Sequence, residues 1–436
     1  MMFCQFLVGF TDVWVAGRIH RDVQAVLGIV VQCQFLLLIV GVAIANGSIA
    51  AISQSLGAGL LRRAERYGGL ILKYGLGFSF IVLAAGMLFR RWIFAQLHIP
   101  VEILPLAERF WFIFLLVLPS NYLLALSGAI FRARRFVVIP MFSALLACVI
   151  NAFFSLGLGL GWWGLPQLGA DGIALATFCS VTVMAIFNIV MLRRGNILSR
   201  RAFSPWKWER RALPYLLQVA APSGGMQLLW HLGYLVLFSI TASLPQDRVN
   251  ALAGMTAGMR VESLLFLPAF AFSMTASMLV GHCLGSGDTA EAKRVGLRIM
   301  AAGCALLSLA ALLLWPWIGH IAALVAPDPD ARDHALAYLR FNLLATPFSA
   351  ASMVMGGIMT GAGATIYTLA VFGAAIWLVR LPAAWYLGHV LWQNSSGVFF
   401  AMFLSQVFQA GIVVYIFHAR NWTRFAMRKI KLHPQE

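Results

Sequence analysis

The chain has 436 residues, 61% hydrophobic and 11% charged, with a mean hydropathy of +0.85. An ordinary soluble domain is about half apolar and about a quarter charged, so a soluble enzyme, a disordered chain and a fibre are excluded. The net charge of +17, from 32 Lys+Arg against 15 Asp+Glu, would point to nucleic acid in a soluble protein. In a chain of long apolar runs it points to basic loops beside a membrane, and no nucleic-acid partner is expected.

In chain order, apolar runs suited to crossing about 30 Å of hydrocarbon occupy residues 1–16, 23–55, 68–88, 110–130, 137–160, 172–192, 215–244, 251–284, 295–325, 335–359, 366–392 and 397–418. The first is short, since sixteen residues rise only about 24 Å as a helix. It lacks the basic start and cleavage pattern of a signal peptide. The expectation is that the native start lies upstream, within this helix. With the amino terminus in the cytoplasm, the internal loops collect Arg62, Arg63 and Arg66, then Arg132, Arg134 and Arg135, then a cluster from Arg193 to Arg211, then Lys293, Arg294 and Arg298, and the tail from Arg420. The opposite orientation breaks the positive-inside bias. Both termini are therefore expected in the cytoplasm, in a bacterial inner membrane.

The chain repeats itself. Leu56-Gly57-Ala58-Gly59 returns as Leu284-Gly285-Ser286-Gly287, Pro119 as Pro347, and Ser127-Gly128-Ala129-Ile130 as Met355-Gly356-Gly357-Ile358, always at an offset of 228. Matches at one offset indicate a duplicated unit. The expected fold is an all-α membrane protein of 12 transmembrane helices in two six-helix lobes. Six is even, so a pseudo-twofold axis along the membrane normal would relate the lobes. The N-lobe (helices 1–6) is expected at 1–193, a basic cytoplasmic linker at 194–211, the C-lobe (helices 7–12) at 212–419 and a basic tail at 420–436. A cleft between two such lobes is the usual place for transport by rocking.

Asp12-Val13-Trp14-Val15-Ala16-Gly17-Arg18, Gln54-Ser55-Leu56-Gly57-Ala58-Gly59, Asn151, Gly172-Ile173-Ala174-Leu175-Ala176-Thr177, Gly281-His282-Cys283-Leu284-Gly285-Ser286-Gly287, Tyr338-Leu339-Arg340 and Gly361-Ala362-Gly363-Ala364-Thr365 follow one another in a telling order. Together they resemble the multidrug and toxic compound extrusion (MATE) transporters over nearly the whole chain, the DinF-like branch more than the NorM-like branch. The resemblance implies a secondary antiporter, not an enzyme. It would export amphipathic or cationic small molecules against protons, with sodium as the alternative ion. It implies no cofactor and a monomer surrounded by membrane lipid. The alternative within the superfamily is a flippase for a lipid-linked oligosaccharide or another lipid.

Two acids fall at membrane depth, Asp12 and Glu262, with Asp171 near an interface. A carboxylate in hydrocarbon is costly unless neutralised, paired or hydrated, which makes it a functional candidate. Asp12 matches the family's ion-coupling acid; capping of a helix end is the competing reading. The family's partners for that acid are an Asn, a second Asp four residues later, and a Thr. Asn151 and Thr177 match, but the second acid is replaced by Ser155. A hard cation prefers several oxygens including carboxylates, so the loss of one tilts the ion-coupling set Asp12, Asn151, Ser155 and Thr177 towards protons. In the second lobe, Glu262, Arg260, His231 and Tyr234 are the coupling or substrate candidates, with a structural ion pair as the competing reading for Glu262 and Arg260. The seventh helix carries Gln227, His231 and Tyr234 where NorM-like proteins keep an acid. His231 reads as a hydrogen-bonded core residue, and Arg380 as facing a cavity or snorkelling.

Other chemistry is not supported. Gly157, Gly159 and Gly161 follow no strand, and neither a phosphate loop nor a His-Glu-x-x-His zinc motif occurs. Six scattered cysteines suggest neither a disulfide framework nor a zinc site.

Overall fold

The computed structural model describes residues 2–96, 102–199, 202 and 204–427, and those residues form helices without strands. The helices are α1 (Met2–Ile19), α2 (Arg21–Gly57), α3 (Leu61–Leu88), α4 (Arg90–Gln96), α5 (Leu104–Ala133), α6 (Val138–Leu160), α7 (Ala170–Arg194), α8 (Trp206–Ala242), α9 (Arg248–Ser286), α10 (Thr289–Leu314), α11 (Ile318–Val325), α12 (Pro329–Ala362), α13 (Thr365–Ala374), α14 (Leu381–Trp385) and α15 (Ser395–Ala419). Eleven helical stretches among the described residues are long and apolar enough to cross a membrane. The 18-residue α1 is the remaining member of the expected twelve. The expected tail beyond Met427 lies outside the described residues.

Prolines explain where the expected spans break. Pro316 sits in a tight turn, Trp315–Trp317, that divides the ninth span into α10 and α11. The eleventh is less regular: α13 passes into a π-helical turn (Ala375–Arg380), then α14, then a second π turn (Tyr386–Leu391). Pro382 lies between those turns. It lacks an N–H and crowds the carbonyl four residues earlier, so the ladder widens around it.

The chain divides into two compact units, Met1–Ile52 with Leu60–Leu217, and Ser53–Gly59 with Gln218–Glu436. In the first, α1 packs on α6, α6 and α5 on α7, and α3 on α5. In the second, α10 and α15 pack on α12, which lies along α9. The chain α3–α5–α7 is thus paired as α10–α12–α15 is, so these three helices of the repeat read from the sequence pack in the same order in both copies.

The stretch expected as a linker is partly helical. From Trp206 onward it forms the start of α8, and it belongs to the first unit. The cause is Glu209, which is buried and accepts hydrogen bonds from Lys73 Nζ at 3.0 and 2.9 Å and from Tyr74 Oη at 2.9 Å. Trp208 sets an edge against Tyr67 at 5.1 Å.

One close approach positions the site described below. At the crossing of α6 and α7, a methyl group on Gly172 would collide with the Leu158 carbonyl, so only glycine lets the backbones meet there. Gly159, on the same stretch, would bring a methyl within 2.8 Å of Val15 on α1. Overpacking of this kind costs about 1–3 kcal/mol. Gly172→Ala is therefore expected to lower the melting temperature in detergent, read by a thermal-shift assay; an unchanged transition would contradict the backbone contact.

Candidate functional site

Asp12 sits inside α1, ten residues after its first residue and seven before its last. An end-capping role is thereby excluded. Its side chain is only 6% exposed. Val15 and Ala16, completely buried, fix this face of α1 inward. Asn151 and Ser155 stand four residues apart on α6, hence on one face, and Thr177 projects from α7. All three converge on the carboxylate. Ser155 Oγ donates to Asp12 Oδ1 at 2.8 Å, Asn151 Nδ2 donates to the same oxygen at 3.2 Å, and Thr177 Oγ1 reaches Oδ2 at 2.9 Å. The first-unit set read from the sequence is one cluster in space.

Its electrostatics are unusual in one respect. Every neighbour that touches the carboxylate is neutral, and among the described residues no cation pairs with it. Hydrogen bonds to a charged group are each worth about 1.5–3 kcal/mol, against several kcal/mol for taking an ion out of water. The two sides are comparable, so the group is held by dipoles alone. Two further details bear on chemistry. Thr177 Oγ1 also lies 3.2 Å from the Ile173 carbonyl, yet a hydroxyl has one proton and donates to one acceptor at a time. Asn151 Oδ1 is enclosed, with no hydrogen-bond partner among the described residues. Four oxygen-bearing side chains with one spare acceptor can take up either a proton or a small hard cation.

The second-unit candidates do not all meet. Arg260 is exposed while Glu262, two residues on, is buried, as expected for positions 200° apart on a helix. Glu262 accepts a short hydrogen bond from Tyr338 Oη, and Asn342, one turn further along α12, also bonds it. Sequence reading missed both partners; their spacing of four, facing the one buried acid of α9, was the available signal. A cavity of about 10 Å³, room for one water at most, opens beside them and is lined by Phe341, Phe403 and Gln406 as well.

Arg380 decides the character of this second cluster. It does not snorkel: it is 2% exposed, placed by the π turn before Pro382. Its Nε donates to Ser405 Oγ at 2.8 Å, its guanidinium lies 5.7 Å from the Tyr234 ring, and its charge acts on Glu262. Tyr234 in turn stacks obliquely on Trp230, whose ring also meets His231 edge-on. His231 is half-buried and Tyr234 buried. Asp171, placed near an interface by its sequence position, forms a 3.7 Å ion pair with Arg109 at 38% side-chain exposure.

The MatE family profile matches residues 1–156 and 222–386. Among curated relatives, the chain is 26% identical over 419 residues to a probable multidrug resistance protein NorM of Bradyrhizobium diazoefficiens, covering 93% of this chain and 87% of the relative. It is 24% identical to the protein of the same name in Thermotoga maritima, covering 97% and 90%. Among solved structures, a MATE protein crystallised in a bent conformation superposes with a TM-score of 0.88 at 16% identity, covering 97% of this chain and 92% of that one; this likeness speaks for the fold. With the profile spanning most of its length, the chain belongs to the MatE family, and it is an integral membrane transporter rather than an enzyme.

Proposed function

We propose that this protein is a secondary multidrug antiporter that exports amphipathic or cationic compounds in exchange for protons by alternating access, in a bacterial inner membrane with both termini in the cytoplasm. The relatives, named as probable multidrug resistance proteins, support the cargo class. The observation that carries the coupling is Asp12, a buried acid held only by neutral donors. A group that must trade its charge cannot be locked to a permanent counter-charge.

Thr177 supplies the device for that trade. With Asp12 charged, the threonine proton points at the carboxylate. With Asp12 protonated, that proton turns to the Ile173 carbonyl, 3.2 Å away, and the threonine oxygen is freed to accept. The swap needs one hydroxyl rotation. Sodium remains the alternative ion, served by the same oxygens, but one carboxylate is a weak donor set for a hard cation. Glu262 differs because Tyr338 and Asn342 clasp it and the charge of Arg380 also acts on it, and we assign that cluster to scaffolding of the second unit.

Everted vesicles with a fluorescent dye added outside, where export is read as movement of dye into the lumen, under an imposed pH or sodium gradient, test the proposal. Wild type is expected to respond to the pH gradient. Asp12→Asn is expected to lose at least tenfold in efflux at equal expression; retained activity would refute the role. Ser155→Asp, which restores a second acid beside the first, is expected to make efflux respond to sodium, and a variant still blind to sodium would count against the donor argument. Glu262→Gln is expected to lower the melting temperature yet keep efflux per folded molecule within about twofold, since weakening the buried hydrogen bonds from Tyr338 and Asn342 is chiefly a stability loss; abolished coupling in a stable variant would reverse the assignment.

A further inference from the structure

The turn that ends α5 carries charges its duplicated counterpart does not. Arg132, Arg134 and Arg135 correspond, at the offset of 228, to Thr360, Ala362 and Gly363. The second copy folds the same turn without a charge, so the fold does not demand these arginines. They stand beside the start of α3: Ile130 lies 3.7 Å from the position a methyl on Gly68 would take, and Arg134 feels the charge of Glu65. The start of α3 adds Arg62, Arg63 and Arg66. Six arginines thus meet one glutamate, whereas the matching region of the second copy has Lys293 and Arg294 against Glu291.

Two independent features show that this end of the first copy leaves donors without a protein acceptor. Arg132 Nε, and Arg134 Nε and Nη2, are enclosed by protein yet donate to no acceptor among the described residues. Leaving such charged donors unmet costs several kcal/mol. Burial also weakens the hold of Arg134 on its proton, with Glu65 opposing. The second feature is the α3 N-terminus. Leu60 stands at its cap position and no side chain caps it, while Asp288 caps α10 in the second copy by accepting from the Glu291 N–H at 2.8 Å. A helix start without an acidic cap favours an external anion, phosphate above all. The surrounding surface is apolar: Leu61, Phe136, Val137 and Val138 are each more than half or about half exposed.

We propose that the α3 start and the α5–α6 turn form a binding site for the phosphate headgroup of an anionic phospholipid, its acyl chains lying on Leu61, Phe136, Val137 and Val138. Arginine suits this because its fork matches phosphate oxygens in pairs. The exposed apolar residues choose a lipid over free phosphate. The basic-loop orientation places the site in the inner leaflet, where anionic lipid attracts such clusters.

The test is native mass spectrometry of the full-length protein in a neutral detergent, with equal amounts of phosphatidylglycerol and phosphatidylcholine. Wild type is expected to retain phosphatidylglycerol at least tenfold over phosphatidylcholine. R132Q/R134Q is expected to lose most of that preference, while R294Q/R298Q, which removes the same charge from the second copy, keeps it. Equal losses in both variants, or none in the first, would overturn the site. Displacement of the lipid by millimolar inorganic phosphate would overturn the lipid assignment; the expected result is no displacement. Should R132Q/R134Q fail to fold, a photoactivatable phosphatidylglycerol on wild type decides: labelling is expected between residues 60 and 66 or 132 and 138, and labelling only elsewhere refutes the site.

Discussion

An acid inside a bundle of apolar helices must be neutralised, paired with a cation or surrounded by donors, because no water is at hand to solvate it. Asp12 takes the last course, and much of the first unit follows from it. Three helices must come close enough for short polar side chains to reach one carboxylate. Ser155, Asn151 and Thr177 reach only two or three bonds from their backbones, so α1, α6 and α7 have to cross tightly. Gly159 and Gly172 allow that crossing by leaving room for neighbouring atoms. The small residues and the acid belong to one design: the former set the distance at which the latter can be satisfied.

The two copies of the repeat solve the same burial problem differently. In the second unit the acid moves from the first helix of the copy to the second, Glu262 on α9, and a buried arginine answers it. That arginine reaches its place through an irregular helix, since π turns on either side of Pro382 rotate Arg380 inward instead of letting it snorkel to the surface. An acid clasped by a tyrosine and an amide, with an arginine's charge acting on it, is a poorer place to trade a proton, as each loss of charge leaves the arginine more exposed to burial cost. A carboxylate among neutral dipoles carries no such penalty. Duplication supplied one scaffold twice, and divergence of a few side chains surrounded one copy's acid with neutral donors alone and set an arginine's charge to act on the other's.

The ends of the helices diverged in the same way. The second copy closes its turn with Thr360-Gly361-Ala362-Gly363, where the Gly361 carbonyl accepts from Gln54 Nε2 at 2.7 Å and the buried Trp422 joins the same apolar cluster. Protein covers that end. The first copy puts arginines there and leaves apolar side chains outside, which is a surface suited to lipid. A headgroup anchor at one end of α3 and α5 would tie the first unit to the membrane.

The sequence by itself determined the membrane class, the order of the spans (seven of the twelve within three residues at both ends, the other five read six to nine residues late at their starts), the duplication and the family resemblance, because each rests on local composition or on order along the chain. It also singled out Asp12, since an acid in an apolar run is visible without a structure. Where Asp12 points, and that Asn151, Ser155 and Thr177 meet on it across 139 to 165 residues of chain, were tertiary decisions: the resemblance implied the set, and only the helix crossings bring it together. The partners of Glu262 left only the spacing of Tyr338 and Asn342 as a trace in the sequence. Arg260 is nearer in sequence, but helical rotation turns it to the outside, while Arg380, Tyr338 and Asn342 arrive from 76 or more residues away. The clasp of Glu209 by Lys73 and Tyr74, which makes helix of a stretch that reads as a linker, was hidden for the same reason. A charge cluster looks alike in a solvated loop and in a helix start until the chain's distant parts are packed against it.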